Sequence, residues 1–226
     1  SEIMPDTVAL RDKDLGIWNE ITWKQYNEKV SFLALSLAKR GFKLGDVIGL
    51  IGDNKPSWLF FELAAQAVGG MSLGIYRDTL DEEVGYLINA AKVNFVYAED
   101  QEQVDKILTI KRPKTNKINI YYEDSRGLKE LEDPHITDML DLINEGQDIA
   151  SKNPDKYSKM IDKVSGDQEA ILCTTSGTTS DPKLAMLPGG KFIEHVIRYL
   201  KVDPKNIDDE YVSVLPFPWI MEQTYG

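Results

Sequence analysis

Val47-Ile48-Gly49-Leu50-Ile51 is a short, continuous apolar run bounded by Gly45 and Gly52. Runs of this length between turn-forming residues read as buried strands. Downstream, Pro56 suits the first turn of a helix. The apolar body of that helix passes through Trp58, Phe61, Leu63 and Ala67 and stops at Gly69-Gly70. Met71 to Ile75 is a second strand. Strand, helix and strand in direct succession need a crossover connection, so the two strands lie parallel. This unit predicts an α/β fold with a doubly wound, mainly parallel sheet flanked by helices. Ligands on such sheets sit beyond the carboxyl ends of the strands.

The same rhythm continues outward. Thr79 and Glu82 have capping-box spacing ahead of Val84, Tyr86, Leu87 and Ala90. Val93 to Tyr97 reads as a strand, Gln101 to Ile110 as a helix and Ile118 to Tyr122 as a strand. Towards the N-terminus, Thr7 to Leu10 and Ile17 to Ile21 flank the turn residues Asp12 to Gly16, which predicts a hairpin. Thr22 is placed to cap a helix, with Gln25 three residues on. Tyr26, Val30, Leu33, Leu37 and Ala38 recur at helical spacing, and Gly41 suits a left-handed stop. Ser125 to Ser165 is polar. Ile136 to Ile149 within it reads as a helix, and the remainder, including the charged run from Ser151 to Asp162, as solvated connection.

The chain has 226 residues, with 26 Lys and Arg against 37 Asp and Glu, for a formal charge of −11. Such a surface repels a phosphate backbone and argues against nucleic-acid binding. It leaves room for a local phosphate site, because net charge describes the whole field and not one pocket. With one cysteine, Cys173, no disulfide forms within the chain, and a reducing, cytoplasmic location is expected. Cys173 reads as a small core residue and not a nucleophile. No apolar run is long enough for a bilayer span, and Ser1 to Arg11 lacks the pattern of a signal peptide. Peripheral membrane contact stays open. His135 and His195 have no ligand-spaced partners, so no metal site is expected from them.

The chemistry points to one loop. Ala170 to Cys173 reads as a buried strand that runs into Thr174-Thr175-Ser176-Gly177-Thr178-Thr179-Ser180-Asp181-Pro182-Lys183, where six of the ten residues carry hydroxyls. Glycine lets backbone approach a ligand closely. Successive N–H groups make a nest for anionic oxygens, and rotatable hydroxyls add donors. Lys183 adds a full positive charge for β- and γ-phosphates. The run is not a Walker loop: Pro182 precedes the lysine and Leu184 follows it. From composition alone, a Ser/Thr-rich surface turn is the favoured reading; the position at the end of a buried strand and the lysine anchored by Pro182 shift the balance towards phosphate binding.

This loop resembles the phosphate-binding motif of the adenylate-forming (AMP-binding) superfamily, close to T-S-G-T-T-G-x-P-K-G. Further resemblance lies in Thr22-Trp23, in Gly45-Asp46-Val47-Ile48 through Asn54 and Trp58, and in Gly74-Ile75-Tyr76-Arg77-Asp78-Thr79. Leu215-Pro216-Phe217-Pro218-Trp219-Ile220-Met221-Glu222 is similar to the family's L-P-L-A-H-x-x-E segment. The nearest likeness is to bacterial long-chain fatty acyl-CoA synthetases. Ser180 and Leu184 replace family glycines, Pro188-Gly189-Gly190 stands in place of a Ser/Thr-His, and Trp219 stands where histidine is common. Asp181 adds a negative charge beside the proposed phosphates.

The resemblance implies ATP-dependent activation of a carboxylic acid, favoured as a long-chain fatty acid, to an acyl-adenylate and then an acyl-CoA. It implies ATP, Mg2+ and coenzyme A as cofactors and small molecules as partners. Thr175, Ser176, Gly177, Thr178, Thr179, Ser180 and Lys183 are implied phosphate-binding residues, with Lys183 catalytic. Trp219 is either near the acyl and nucleotide pockets or a packing aromatic. The family's adenine, ribose and magnesium motifs and its mobile C-terminal domain lie beyond position 226. Tyr225-Gly226 follows the Leu215-Pro216 segment too closely to be its Y-G motif. Residues 1–226 are therefore expected to be a partial N-terminal domain, with the loop at 174–183 and little or no ligase activity alone. Two alternatives remain: a non-catalytic nucleotide-binding module and an unrelated flavodoxin-like domain.

Overall fold

A computed structural model describes residues 3–113, 117–175 and 182–225. Its N-terminal hairpin pairs β1 (Val8–Asp14) with β2 (Ile17–Thr22) in a separate two-stranded sheet. Asp12, Lys13 and Asp14 belong to the first strand and pair with Asn19, Trp18 and Ile17. The turn is therefore shorter than the sequence suggests and consists of Leu15-Gly16, with φ of 46° and 84°. Positive φ at both central residues matches the twist of the flanking strands, so a two-residue turn extends polar strands without an apolar pattern.

Helix α1 (Trp23–Lys39) starts at the expected cap. The Thr22 hydroxyl accepts from the Gln25 amide, and the Gln25 side chain accepts from the Thr22 amide. Gly41 follows at φ 96°. Then come β3 (Val47–Ile51), α2 (Pro56–Val68), β4 (Met71–Ile75), α3 (Asp81–Ala90), β5 (Phe95–Ala98), α4 (Gln101–Leu108) and β6 (Asn119–Tyr122). The chain closes with β7 (Ile136–Asp138), α5 (Met139–Lys152), α6 (Lys156–Ile161), β8 (Glu169–Thr175), β9 (Lys183–Pro188), α7 (Gly189–Leu200) and α8 (Ile220–Tyr225).

Three expectations shift. Thr79 does not cap α3. The cap residue is Leu80, which makes no side-chain bond, and Asp81, Glu82 and Glu83 in the first turn complement the positive end of the helix dipole instead. Ile136 to Asp138 is strand, not helix, because it pairs in parallel with Ile120 to Tyr122. Asp138 then caps α5 through a 2.8 Å bond from the Leu140 amide. The charged connection after α5 contains the short helix α6, which has no buried residue.

The main sheet has the order β7-β6-β5-β3-β4-β8-β9. All its pairings are parallel except β8 with β9, which are antiparallel. Strand alternation divides the side chains between two cores. Ile48, Leu50, Phe95, Tyr97 and Tyr121 face the core that includes Trp58 and Phe61 of α2 and Leu33 and Leu37 of α1. Val47, Ile51, Leu73, Val96 and Ile120 face Val84, Leu87 and Ile88 of α3 and Val104 and Ile107 of α4. Helices thus cover both faces, as a doubly wound sheet requires. In α2, Leu63 points outward and is 39% exposed, although its spacing suggests core.

Candidate functional site

The antiparallel pair β8–β9 makes the base of the candidate loop. Thr175 ends β8 and Lys183 begins β9, and the two are register partners. The Thr175 hydroxyl donates to the Lys183 carbonyl at 3.3 Å. Both residues are exposed. Just before Lys183, the Pro182 carbonyl accepts a 3.1 Å bond from the Tyr86 hydroxyl of α3. Leu184, where the family pattern has glycine, packs half-buried against the α3–α4 core. Ser176, Gly177, Thr178, Thr179, Ser180 and Asp181 lie outside the described residues. Because successive strand residues alternate faces, Lys183 points to the opposite side from Leu184. That is the sheet face on which Trp58 and Phe217 are buried.

A second segment crosses the carboxyl ends of β3 and β4 on this face. Asn54, just past β3, donates to the Ser213 hydroxyl at 2.6 Å and the Leu215 carbonyl at 2.7 Å. Its carbonyl oxygen accepts from the Phe217 amide at 3.1 Å. From the far side, Glu222 accepts from the Tyr211 hydroxyl at 2.7 Å and the Leu215 amide at 3.1 Å. Gly74 admits the segment, since a Cβ there would stand 2.7 Å from the Pro218 Cα. Trp219, the residue after this contact, is 47% exposed and lies outside both buried cores.

Charged side chains ring the same end of the sheet. Arg77, after β4, bonds Asp53, after β3, and Asp100, after β5, the latter at 3.2 Å. The Asp53 amide donates to Glu99 at 2.6 Å. Burial, opposed by that amide, leaves the Glu99 carboxyl above its usual range. Glu123, after β6, accepts from the Tyr97 hydroxyl at 2.8 Å and from Ser57 in the first turn of α2. These residues tie neighbouring loops together across the strand ends.

Cys173 is half-buried rather than fully buried, and desolvation followed by the charge of Glu62 pushes its thiol up. A raised thiol holds little thiolate, which is the nucleophilic form. His135 bonds Asn119 at 3.0 Å through Nδ1, and His195 is exposed on α7. Among the described residues no three His, Cys, Asp or Glu side chains are grouped to hold a metal ion. Sequence reading singles out neither Tyr86 nor Asn54 as a site residue. Asn54 carries a signal, its place in the family-like segment after β3; Tyr86 shows only helical periodicity.

A family model described as AMP-binding enzyme matches residues 2–226. The chain belongs to the AMP-binding enzyme family. This membership displaces the flavodoxin-like alternative. As an AMP-binding enzyme chain it is 31% identical over 183 residues to a long-chain-fatty-acid–CoA ligase of Xenopus laevis, covering 80% of this chain and 24% of that protein. A Rattus norvegicus long-chain-fatty-acid–CoA ligase is 29% identical over 224 residues, covering 96% of this chain and 30% of its own length. The chain thus spans about a quarter to a third of such relatives.

Solved structures show the same fold. A luciferase-like enzyme from the nonluminescent mealworm Zophobas morio superposes with a TM-score of 0.76 at 15% identity, over 99% of this chain and 48% of its own. ATP-bound MatB from Rhodopseudomonas palustris gives 0.75 at 18% identity, over 97% of this chain and 40% of its own. Among the described residues of this AMP-binding enzyme chain, no helix is long and apolar enough to cross a membrane.

Proposed function

We propose that residues 1–226 are the partial N-terminal domain of a longer, AMP-forming acid–thiol ligase that activates a long-chain fatty acid. The observation that carries this reading is the paired loop base. Thr175 and Lys183 meet at the carboxyl end of β8 with both side chains in solvent. This is the edge of an α/β sheet at which ligands bind.

In this reading the loop 174–183 holds the β- and γ-phosphates of ATP. Gly177 permits close backbone approach, and Thr175, Ser176, Thr178, Thr179 and Ser180 donate hydrogen bonds. Lys183 neutralises charge on the leaving group as a carboxylate oxygen attacks the α-phosphorus and the bond to the bridging oxygen of pyrophosphate breaks. The acyl carbon is then attacked by the thiolate of coenzyme A, and AMP departs. Positioning and charge neutralisation carry most of such phosphoryl chemistry. Mg2+ would offset phosphate charge; its ligands are proposed to lie in the rest of the longer protein. Trp219, two residues after the buried Phe217, is proposed to border the acyl and nucleotide pockets. The chain alone is proposed to lack ligase activity, and a cytoplasmic location fits its single cysteine.

The test is Lys183→Ala in the longer protein, read by ATP–pyrophosphate exchange. Removal of one preorganised charge contact of this kind costs about 100-fold or more in rate. Exchange at the wild-type rate would overturn the loop assignment. ATP binding by the wild-type protein without acyl-adenylate formation would identify a non-catalytic nucleotide-binding module instead.

A further inference from the structure

We infer that Tyr86 is a positioning residue for Lys183, fixing the backbone from which that side chain projects; this rests on the loop reading above. Three contacts converge on one peptide stretch. The Tyr86 hydroxyl donates to the Pro182 carbonyl at 3.1 Å, and the Thr175 hydroxyl donates to the Lys183 carbonyl at 3.3 Å. The Leu184 side chain is seated against the α3–α4 core. Lys183 is thus pinned on either side through its backbone while its side chain stays in solvent.

The arrangement follows from the residue types. Proline has no N–H, so the carbonyl is the only polar backbone group by which Pro182 can be held. Tyrosine brings a hydroxyl on a rigid ring with few rotatable bonds, so little side-chain freedom is lost in making that bond. The ring is placed by a helix whose Val84, Leu87 and Ile88 are buried in the sheet core. Leu184 is anchored in that same core. The entry to β9 is therefore referenced to α3 by a polar contact and an apolar one. Movement of about 1 Å in a charge-neutralising group is enough to weaken a polyphosphate site severely.

Tyr86→Phe removes one oxygen and keeps the ring. In the longer protein, KM for ATP and for pyrophosphate in the exchange reaction is expected to rise about three- to tenfold, the range for one lost hydrogen bond. The melting temperature and the rate of thioester formation from preformed acyl-adenylate are expected to stay at wild-type values. Wild-type KM values in Tyr86→Phe would overturn the inference. So would a lowered melting temperature with unchanged KM, the pattern of a purely structural contact. Lys183→Ala separates the two levels: if it abolishes exchange while Tyr86→Phe is silent, only the positioning role fails. If Lys183→Ala is itself silent, the loop reading fails.

Discussion

Glu62 of α2 accepts a 2.6 Å hydrogen bond from the hydroxyl of Ser72 on β4, and both residues are buried. The carboxyl is 4% exposed. Burial raises it to about 7, with the Ser72 hydroxyl pulling it back part-way. Tyr26 and Cys173 both sense its charge.

That shift makes stability depend on pH with a definite sign. A carboxyl raised on folding favours the fold in its neutral form. Its contribution is complete below the unfolded value near 4.5 and is lost as pH rises through about 7. The loss between pH 4.5 and 8 is about 3 kcal/mol by linkage. Urea unfolding at several pH values should show Glu62→Gln removing this part of the slope. A mutant whose pH profile runs parallel to the wild type would show the carboxyl to be ionised in the fold.

Asn54 joins the end of β3 to the segment 213–217 through three hydrogen bonds. Asn54→Ala should free that segment at a cost of about 2–3 kcal/mol. Amide exchange followed by mass spectrometry should show faster exchange over 213–219 while β3 and β5 stay protected. Unchanged exchange at Phe217 would mean that Glu222 alone holds the segment.

Gly146 lies where α5 crosses α1. A Cβ there would stand 2.0 Å from the Phe32 carbonyl oxygen. Alanine improves helix propensity by about 0.5–1 kcal/mol, so an isolated helix would gain. Here Gly146→Ala should instead destabilise by about 2 kcal/mol or more, because backbone must move to admit the methyl group. Thermal unfolding checks the sign. A stabilised mutant would contradict the close α1–α5 approach, which also carries the buried 2.6 Å bond from Ser36 to the Leu142 carbonyl.

Cys173 provides a chemical readout. Because burial and Glu62 raise its thiol, alkylation by iodoacetamide at pH 8 should be several-fold slower in the folded chain than in concentrated urea. Equal rates in the two states would mean that Cys173 is as accessible folded as unfolded.

Much of the framework was legible because local pattern reports burial directly. Val47–Ile51 is buried throughout, as a continuous apolar run implies. The Thr22–Gln25 box and the left-handed Gly41, at φ 96°, depend only on neighbouring residues. The errors also have physical causes. Ile136–Asp138 is three residues long and takes its strand state from pairing with β6, which no periodicity within it records. At Thr79 the spacing was right, but the chain enters α3 one residue later.

The sequence alone was enough for the α/β class, the hydroxyl-rich loop with its Pro182-Lys183 end, and the likeness to AMP-binding enzymes, since each rests on residues adjacent or periodic in the chain. Only the tertiary structure decided which sheet face Lys183 shares with Trp58 and Phe217, and that Leu184 is a core anchor. It alone brought Tyr86 to Pro182 across 96 positions and Asn54 to Phe217 across 163. Contacts of that kind arise from strand order and helix placement, which bring distant segments together only after the whole sheet has formed.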